Sequence, residues 1–545
     1  MIMHKIFALT AILALAGSAC ADLEGTNFND PDRERAISTP GDVENLIAGG
    51  FSSWWRTSHQ SYPGCALSVA ADAHSSSWGN WSMRDHGWEP RKALDNDPSY
   101  SYNNVTETAW TYAYRSLAGV RDGLIAIQEG GLTITEGGVD VTQRSLAFGY
   151  LIQALSLGNL ALEFDRAFIV DETTDLASLT DPSPYTEVWA AAKAKFAAAR
   201  AAATGNWTIP DLWVGRGGEW TPSYLIEFAD AMEARMETRI PRTPADRDAL
   251  NWGNILTVAQ RGLSREWGGV DDNSDWLWSR MMLHCGGILG WGVMDMRTVG
   301  PADAGGGFAN YLATSIDTRD GRFNIDTDDA RITAPGDPET GGTLMKYDPA
   351  AGSFRPDRGL YHYSFYVDKR FDDYWQTSGD FYILDLGNDE LDFLEAEARY
   401  RTGDKPGAMA IVNTFRARGG LPAFTDVNGV APGGARCVPK PDGVNCGDLW
   451  EALKYEKRIE TYHLGFAGEY FDDRGWGDLV ENTRINTPIP GKELLLLLQD
   501  IYTFGGPEDP TSAPLLINDF TPEGLALKAQ ALARFDDLSS ESKMV

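Results

Sequence analysis

With 545 residues, 43% of them apolar and 11% aromatic including 18 Trp, the chain carries too much core-forming material to be a disordered protein. Its 47 basic residues against 78 acidic ones give a formal charge of −31, which repels polyanions; no local basic patch offsets it, so nucleic acid is set aside as a partner.

His4 and Lys5 lead into an apolar run over residues 6–16, followed by small residues and Cys20, the layout of an export signal. The run is too short to span a bilayer. Gly17-Ser18-Ala19-Cys20 reads as a lipid-acceptor site at Cys20, closing a signal peptide over 1–20. Ordinary cleavage after Ala19-Cys20-Ala21 is the other reading. Residues 21–38 are polar and predict a tether.

Thr39-Pro40-Gly41-Asp42 marks a helix start with Thr39 as N-cap; Val43, Leu46, Ile47 and Phe51 point inward as the helix runs to Trp54 and Trp55. From about 65 to 104 neither period 2 nor period 3.6 fits, which predicts a long surface loop bearing Trp78, Asn80, Trp81, Arg84 and Trp88. Helices are expected at 106–128, 143–164 and 185–203, then at 222–239 and 244–263, the last two each opened by Thr-Pro. Residues 265–380 are rich in Gly, Asp, Pro and aromatics. They have a β-like piece at 360–367, a helical period only at 283–293, and a second aromatic cluster of Trp276, Trp278 and Trp291. A helix pair at 389–402 and 408–418, split by Gly403-Asp404, is similar to a tetratricopeptide pair, with Ala398 and Ala408 where the helices approach. Helices at 450–462 and 521–535 would close the body.

Beyond Cys20 the cysteines are Cys65, Cys285, Cys437 and Cys446, which allow three pairings in an oxidising compartment. Cys437 and Cys446 flank the loop VPKPDGVN, and this bridge is favoured. No CxxC or Cys/His spacing points to zinc.

The stretch 454–477, KYEKRIETYHLGFAGEYFDDRGWG, places Glu456, Lys457, Arg458 and Glu460 on one helical face, with glycines at 465 and 468 ending the helix before an aromatic turn. The charges are expected to pair or face water. Phe471, Asp472, Arg474, Trp476 and Gly477 resemble the Phe-Asp-x-Arg-x-Trp-Gly signature of the SusD/RagB family, although Leu464 stands where that family has a Glu. NTFRARGGLP from Asn413, and Thr487-Pro488-Ile489-Pro490 with Glu493, resemble two further motifs of the family in the same order. The resemblance implies a mostly α-helical, SusD-like fold with tetratricopeptide-type helix pairs at about 39–263 and 385–545, forming one body from 39 to 545. A loop-rich region at about 265–380 is laid over that scaffold. It also implies a lipid-anchored outer-membrane protein that binds substrate for a TonB-dependent transporter, with ligand contacts in an N-terminal loop and in the region after the repeats.

The candidate ligand-binding residues fall in two groups: Trp78, Asn80, Trp81, Arg84 and Trp88, and then Trp276, Trp278 and Trp291. Indole faces stack on sugar C–H faces while amide and guanidinium groups bond hydroxyls, which points to a glycan, with a peptide as the other ligand class. Trp is more often a packing residue than a ligand contact, and carboxylate pairs arise by chance among 78 acidic residues. The Asp326, Asp328, Asp329 group and the Asp271 group lack EF-hand spacing and read as solvated acidic loops. HExxH, GxSxG and P-loop signatures are absent, so no catalytic residue, metal or cofactor is assigned. An exported glycoside hydrolase and a helical-repeat interaction module are the alternatives.

Overall fold

The computed structural model describes residues 37, 39–59, 63–76, 82–271, 292–316, 318–319, 322–350, 362–370, 372 and 381–513. In chain order the elements used below are helix α1 (Pro40–His59), α2 (Pro63–Ala70), strand β1 (His74–Ser76), α3 (Asn104–Gln128), α4 (Thr142–Glu163), α5 (Tyr185–Ala202) and α6 (Pro222–Arg239). There follow α7 (Trp252–Ala259), β2 (Trp267–Asp271), β3 (Gly292–Met294), β4 (Met345–Tyr347), β5 (Tyr366–Asp368) and β6 (Phe381–Leu386). Helices α8 (Asn388–Arg401), α9 (Lys405–Arg418), α10 (Leu449–Glu460) and α11 (Gly468–Trp476) complete the set.

Helix α4 is the hub. It alone among the described residues is long and apolar enough to cross a bilayer, yet 89% of that window is buried, so it is a core helix apolar on all sides. Helices α1, α3, α5 and α6 surround it, and their close approach depends on small residues. A Cβ added at Gly50 would lie 2.4 Å from Val120, one at Gly123 2.6 Å from Ile47, and one at Gly149 2.8 Å from Leu124. The main core then runs on through Leu391, Leu394, Tyr470, Phe471 and Ala513, joining N- and C-terminal elements.

The predicted caps are present. Thr39 accepts from the Asp42 amide at 3.2 Å and Thr221 from Tyr224 at 3.3 Å. Three expectations fail locally. The loop expected at 65–104 contains α2, all eight residues of which are buried, then β1 and a short helix Met83–Gly87. A segment enclosed on every side shows no amphipathic period. The helix expected over 244–263 is two helices, Pro244–Asp248 and α7, because Asn251 caps a new start by accepting from Asn254. The end of the helix expected at 283–293 is instead β3; the rest of it, and the helix expected at 521–535, lie outside the described residues.

The 454–477 stretch differs most from its expectation. The aromatic turn is the helix α11, all nine of whose residues are buried, ended by Gly477 at φ 81°. On α10, Glu456 and Glu460 share a face but Lys457 and Arg458 do not, since successive helical residues are 100° apart. Glu456 and Glu460 reach Arg331 at 2.6 and 2.7 Å, Lys457 reaches Asp472 at 2.8 Å, and Arg458 reaches Asp473 at 2.6 Å. Arg247, fully enclosed, joins Glu397 at 2.7 Å and Asp472 at 3.0 Å, with its guanidinium 5.0 Å from the Trp476 ring. Arg474 donates to the carbonyls of Leu162 and Ile485, and Arg242 to those of Ala161, Leu162 and Phe164. Together they cap the negative end of α4. Asp329 is likewise no solvated residue: it is buried against Arg331 and Tyr455, while Asp326 and Asp328 pair with Arg436 at the surface.

Candidate functional site

The stretch with Trp78 and Trp81 leaves strand β1, and the stretch with Trp276, Trp278 and Trp291 leaves β2 and returns on β3. Strand β1 pairs antiparallel with β3, Ser76 opposite Gly292, so the chain leaves toward Trp78 beside the point where it returns from Trp291. Strand β2 pairs with β6, Asp271 opposite Phe381, which puts the departure toward Trp276 next to the end of residues 373–380. A bridge joins Asp295 to Tyr363. Trp78, Asn80, Trp81, Trp276, Trp278 and Trp291 themselves lie outside the described residues.

Two of the predicted site residues are described. Trp88 is 37% exposed, with the Lys92 ammonium 5.0 Å from its ring centroid. Arg84 is half-buried and committed in part to Asp85, to which it donates from Nε at 3.0 Å and Nη2 at 2.7 Å. Asp85 also accepts from the Tyr100 hydroxyl at 2.5 Å. Burial, and then that bond, pushes the Tyr100 phenol well above its ordinary range.

Beneath the β1–β3 pair lies a charged cluster that no spacing in the sequence announces. Asp72 precedes β1, Asp295 follows β3, and both are buried beside His362 and Arg297. Arg91 donates to both Asp72 oxygens at 2.7 and 2.8 Å, and the Ser75 hydroxyl donates to Asp295 at 2.6 Å. Burial and then Asp72 raise the Asp295 carboxyl, while burial lowers His362. Burial would raise Glu89 as well, yet Arg297 and its neighbours hold it at about 2. Ligand atoms of Asp72, Asp295 and His362 lie within 4.8 Å of one another, a separation compatible with one cation. Arg91 pairs with Asp72 and Arg297 with Glu89, so both carboxylates already have a protein cation. The cluster is an ion-paired base under the strands.

A cavity of ≈ 20 Å³ between α1, α4 and α6, lined by Trp54, Trp55, His59, Asn159 and Arg235, holds about one water. His59, His74, His86 and His463 are buried, each shifted down chiefly by burial. Many tryptophans are plain packing residues: Trp54, Trp220 and Trp267 cluster around Phe51. The Cys437–Cys446 disulfide is formed, with the Cα atoms 5.8 Å apart.

This architecture is the SusD-like fold. A SusD-like protein from Bacteroides fragilis superimposes with a TM-score of 0.52 at 16% identity, over 84% of this chain and 96% of that one. A SusD homologue from Parabacteroides distasonis gives 0.53 at 12% identity, over 87% and 97%. No protein-family model matches the sequence, and neither does any curated protein.

Proposed function

We propose that the chain is a non-catalytic, lipid-anchored protein of the outer-membrane surface that captures an oligomeric nutrient, a glycan by its aromatics, and passes it to a TonB-dependent transporter. The observation that carries the reading is the pairing of Ser76 with Gly292. Two tryptophan-bearing stretches distant in sequence meet the described body at one paired edge, above an ion-paired base. Aromatic side chains bind sugars by stacking, with little side-chain entropy lost. The SusD-like fold agrees with this reading, and Cys20 with the 21–38 tether supplies the anchor and the reach. No bond is broken; retention near the pore raises the local ligand concentration.

The test is a glycan panel with purified protein. Retention is expected to fall at least tenfold in Trp78→Ala and Trp81→Ala at unchanged melting temperature, and no glycan should be cleaved. Sustained product release, or an equal loss of stability in both variants, rejects the reading.

A further inference from the structure

The short helix Met83–Gly87 sorts its residues by side. Met83, His86 and Gly87 are buried, and Gly87 sits so close to α2 that an added Cβ would lie 2.7 Å from Val69. Arg84, Asp85 and Trp88 face outward. Trp88 ends the helix with ψ 128°, but its φ of −65° is still helical, so its Cβ keeps the position that a continued helix would give it. Arg84 and Trp88 are four residues apart, which puts their Cβ atoms about 5–6 Å from each other on one face. The helix is a fixed mount for an indole and a guanidinium that solvent reaches.

The guanidinium is held in place and its charge is balanced. Asp85 Oδ1 accepts from Arg84 Nε and Nη2, while Asp85 Oδ2 accepts from the Tyr100 hydroxyl, which also lies 2.7 Å from Ser82 Oγ. Arg84 Nη1 has no hydrogen bond among the described residues and is not enclosed, so its two N–H donors stand open to solvent. Lys92, whose ammonium is 5.0 Å from the Trp88 ring centroid, and Asp95, whose charge raises the Tyr100 phenol, add one charge of each sign. The surface around the indole thus offers an apolar face and donors without net charge.

We infer that Arg84 and Trp88 form a subsite for one pyranose ring of a neutral glycan, with Asp85, itself set by Tyr100, as the positioning residue. The subsite rests on the proposed binding function and adds to it the residue that selects the ligand's charge. The sugar's C–H face stacks on the indole while Nη1 donates to its hydroxyl oxygens. Two bonds to one carboxylate oxygen fix the plane of the guanidinium beforehand, so little freedom is lost when the sugar arrives. Asp85 also sets the charge preference. Its carboxylate lies against Arg84 and repels a uronic acid, whereas an Arg84 relieved of that charge is an open carboxylate receptor.

The test measures binding of neutral cello-, manno-, xylo- and maltohexaose and of hexagalacturonate to the purified protein. The unaltered protein is expected to retain a neutral hexasaccharide and to hold hexagalacturonate about tenfold more weakly; the reverse preference overturns the assignment. Arg84→Ala should weaken the neutral ligand about fivefold at unchanged melting temperature, since the side chain is half-buried at the surface. In Asp85→Asn, which keeps the shape and removes the charge, hexagalacturonate should bind about fivefold more tightly, a gain that disappears in high salt. A merely structural Asp85 would weaken both ligands alike, and that result overturns the positioning role. Failure of the unaltered protein to retain any neutral hexasaccharide rejects the binding function and the subsite together, whereas retention untouched by Arg84→Ala rejects the subsite alone. The preference of the unaltered protein decides the matter even if a variant does not fold.

Discussion

Glu397 shows how the signature residues act. Its carboxylate accepts from Arg247 at 2.7 Å, from Arg401 at 2.8 Å and from the Trp476 indole at 3.3 Å, with no exposure to solvent. Glu397→Gln removes the charge and leaves Arg247 only partly compensated, so urea unfolding should show a loss of ~3 kcal/mol. A loss below ~1 kcal/mol would mean that the network is not coupled in this way. The imidazoles of His74 and His463, 3.1 Å apart, give a pH signature. Burial, and then Arg370, push His463 from 6.5 to about 3. Below pH 6.5 the unfolded chain binds a proton that the folded chain refuses, so the stability is complete above that value and is lost as pH falls toward 3. The melting temperature should fall steadily with acid in this window, and less steeply in His463→Gln; parallel curves for the two proteins would refute the assignment.

Helix α1 carries two adjacent glycines with opposite environments. Gly50 faces Val120 across the α1–α3 crossing, where an added Cβ would meet Cγ2 at 2.4 Å, whereas nothing lies within 4 Å of a Cβ on Gly49. Gly50→Ala should cost about 1–3 kcal/mol by overpacking. Gly49→Ala should stabilise by about 0.5–1 kcal/mol through helix propensity alone. Chemical denaturation of the two variants checks both signs, and destabilisation by Gly49→Ala would show that the helix crossing extends further than described. The element boundaries that the sequence shows well are those with local chemistry: Thr39 and Thr221 as caps, and the Cys437–Cys446 bridge across nine residues. Reducing that bridge, or Cys437→Ser, should lower stability by about 2–3 kcal/mol. Helix α2 was hidden because burial on every side erases the period that reveals a helix.

Across the whole molecule, the formal charge of −31 disfavours an anionic ligand, and the proposed function takes a neutral glycan. Dissociation constants for a bound neutral glycan should therefore change less than about twofold between low and high salt, because screening acts on charges. A steep weakening with salt would point to a charged ligand instead. The same scale explains why the candidate site is only partly visible in sequence. Trp78 and Trp291 could be named as sugar-stacking candidates from their type and company, but that Ser76 and Gly292, the described residues nearest them, are paired follows from the β1–β3 register. Asp72, Asp295 and His362 have no spacing that singles them out, since they meet only when three separate segments converge.

The sequence by itself determined the helical class, the caps, the nine-residue disulfide and the order of the family motifs, because each depends on residues near one another in the chain. Tertiary structure alone decided what those motifs do. Arg247 meets Glu397 and Asp472 across 150 and 225 positions, turning a charged helix and an aromatic turn into the buried junction of the body. The burial that makes those pairings strong is a property of the assembled fold, and no local pattern encodes it.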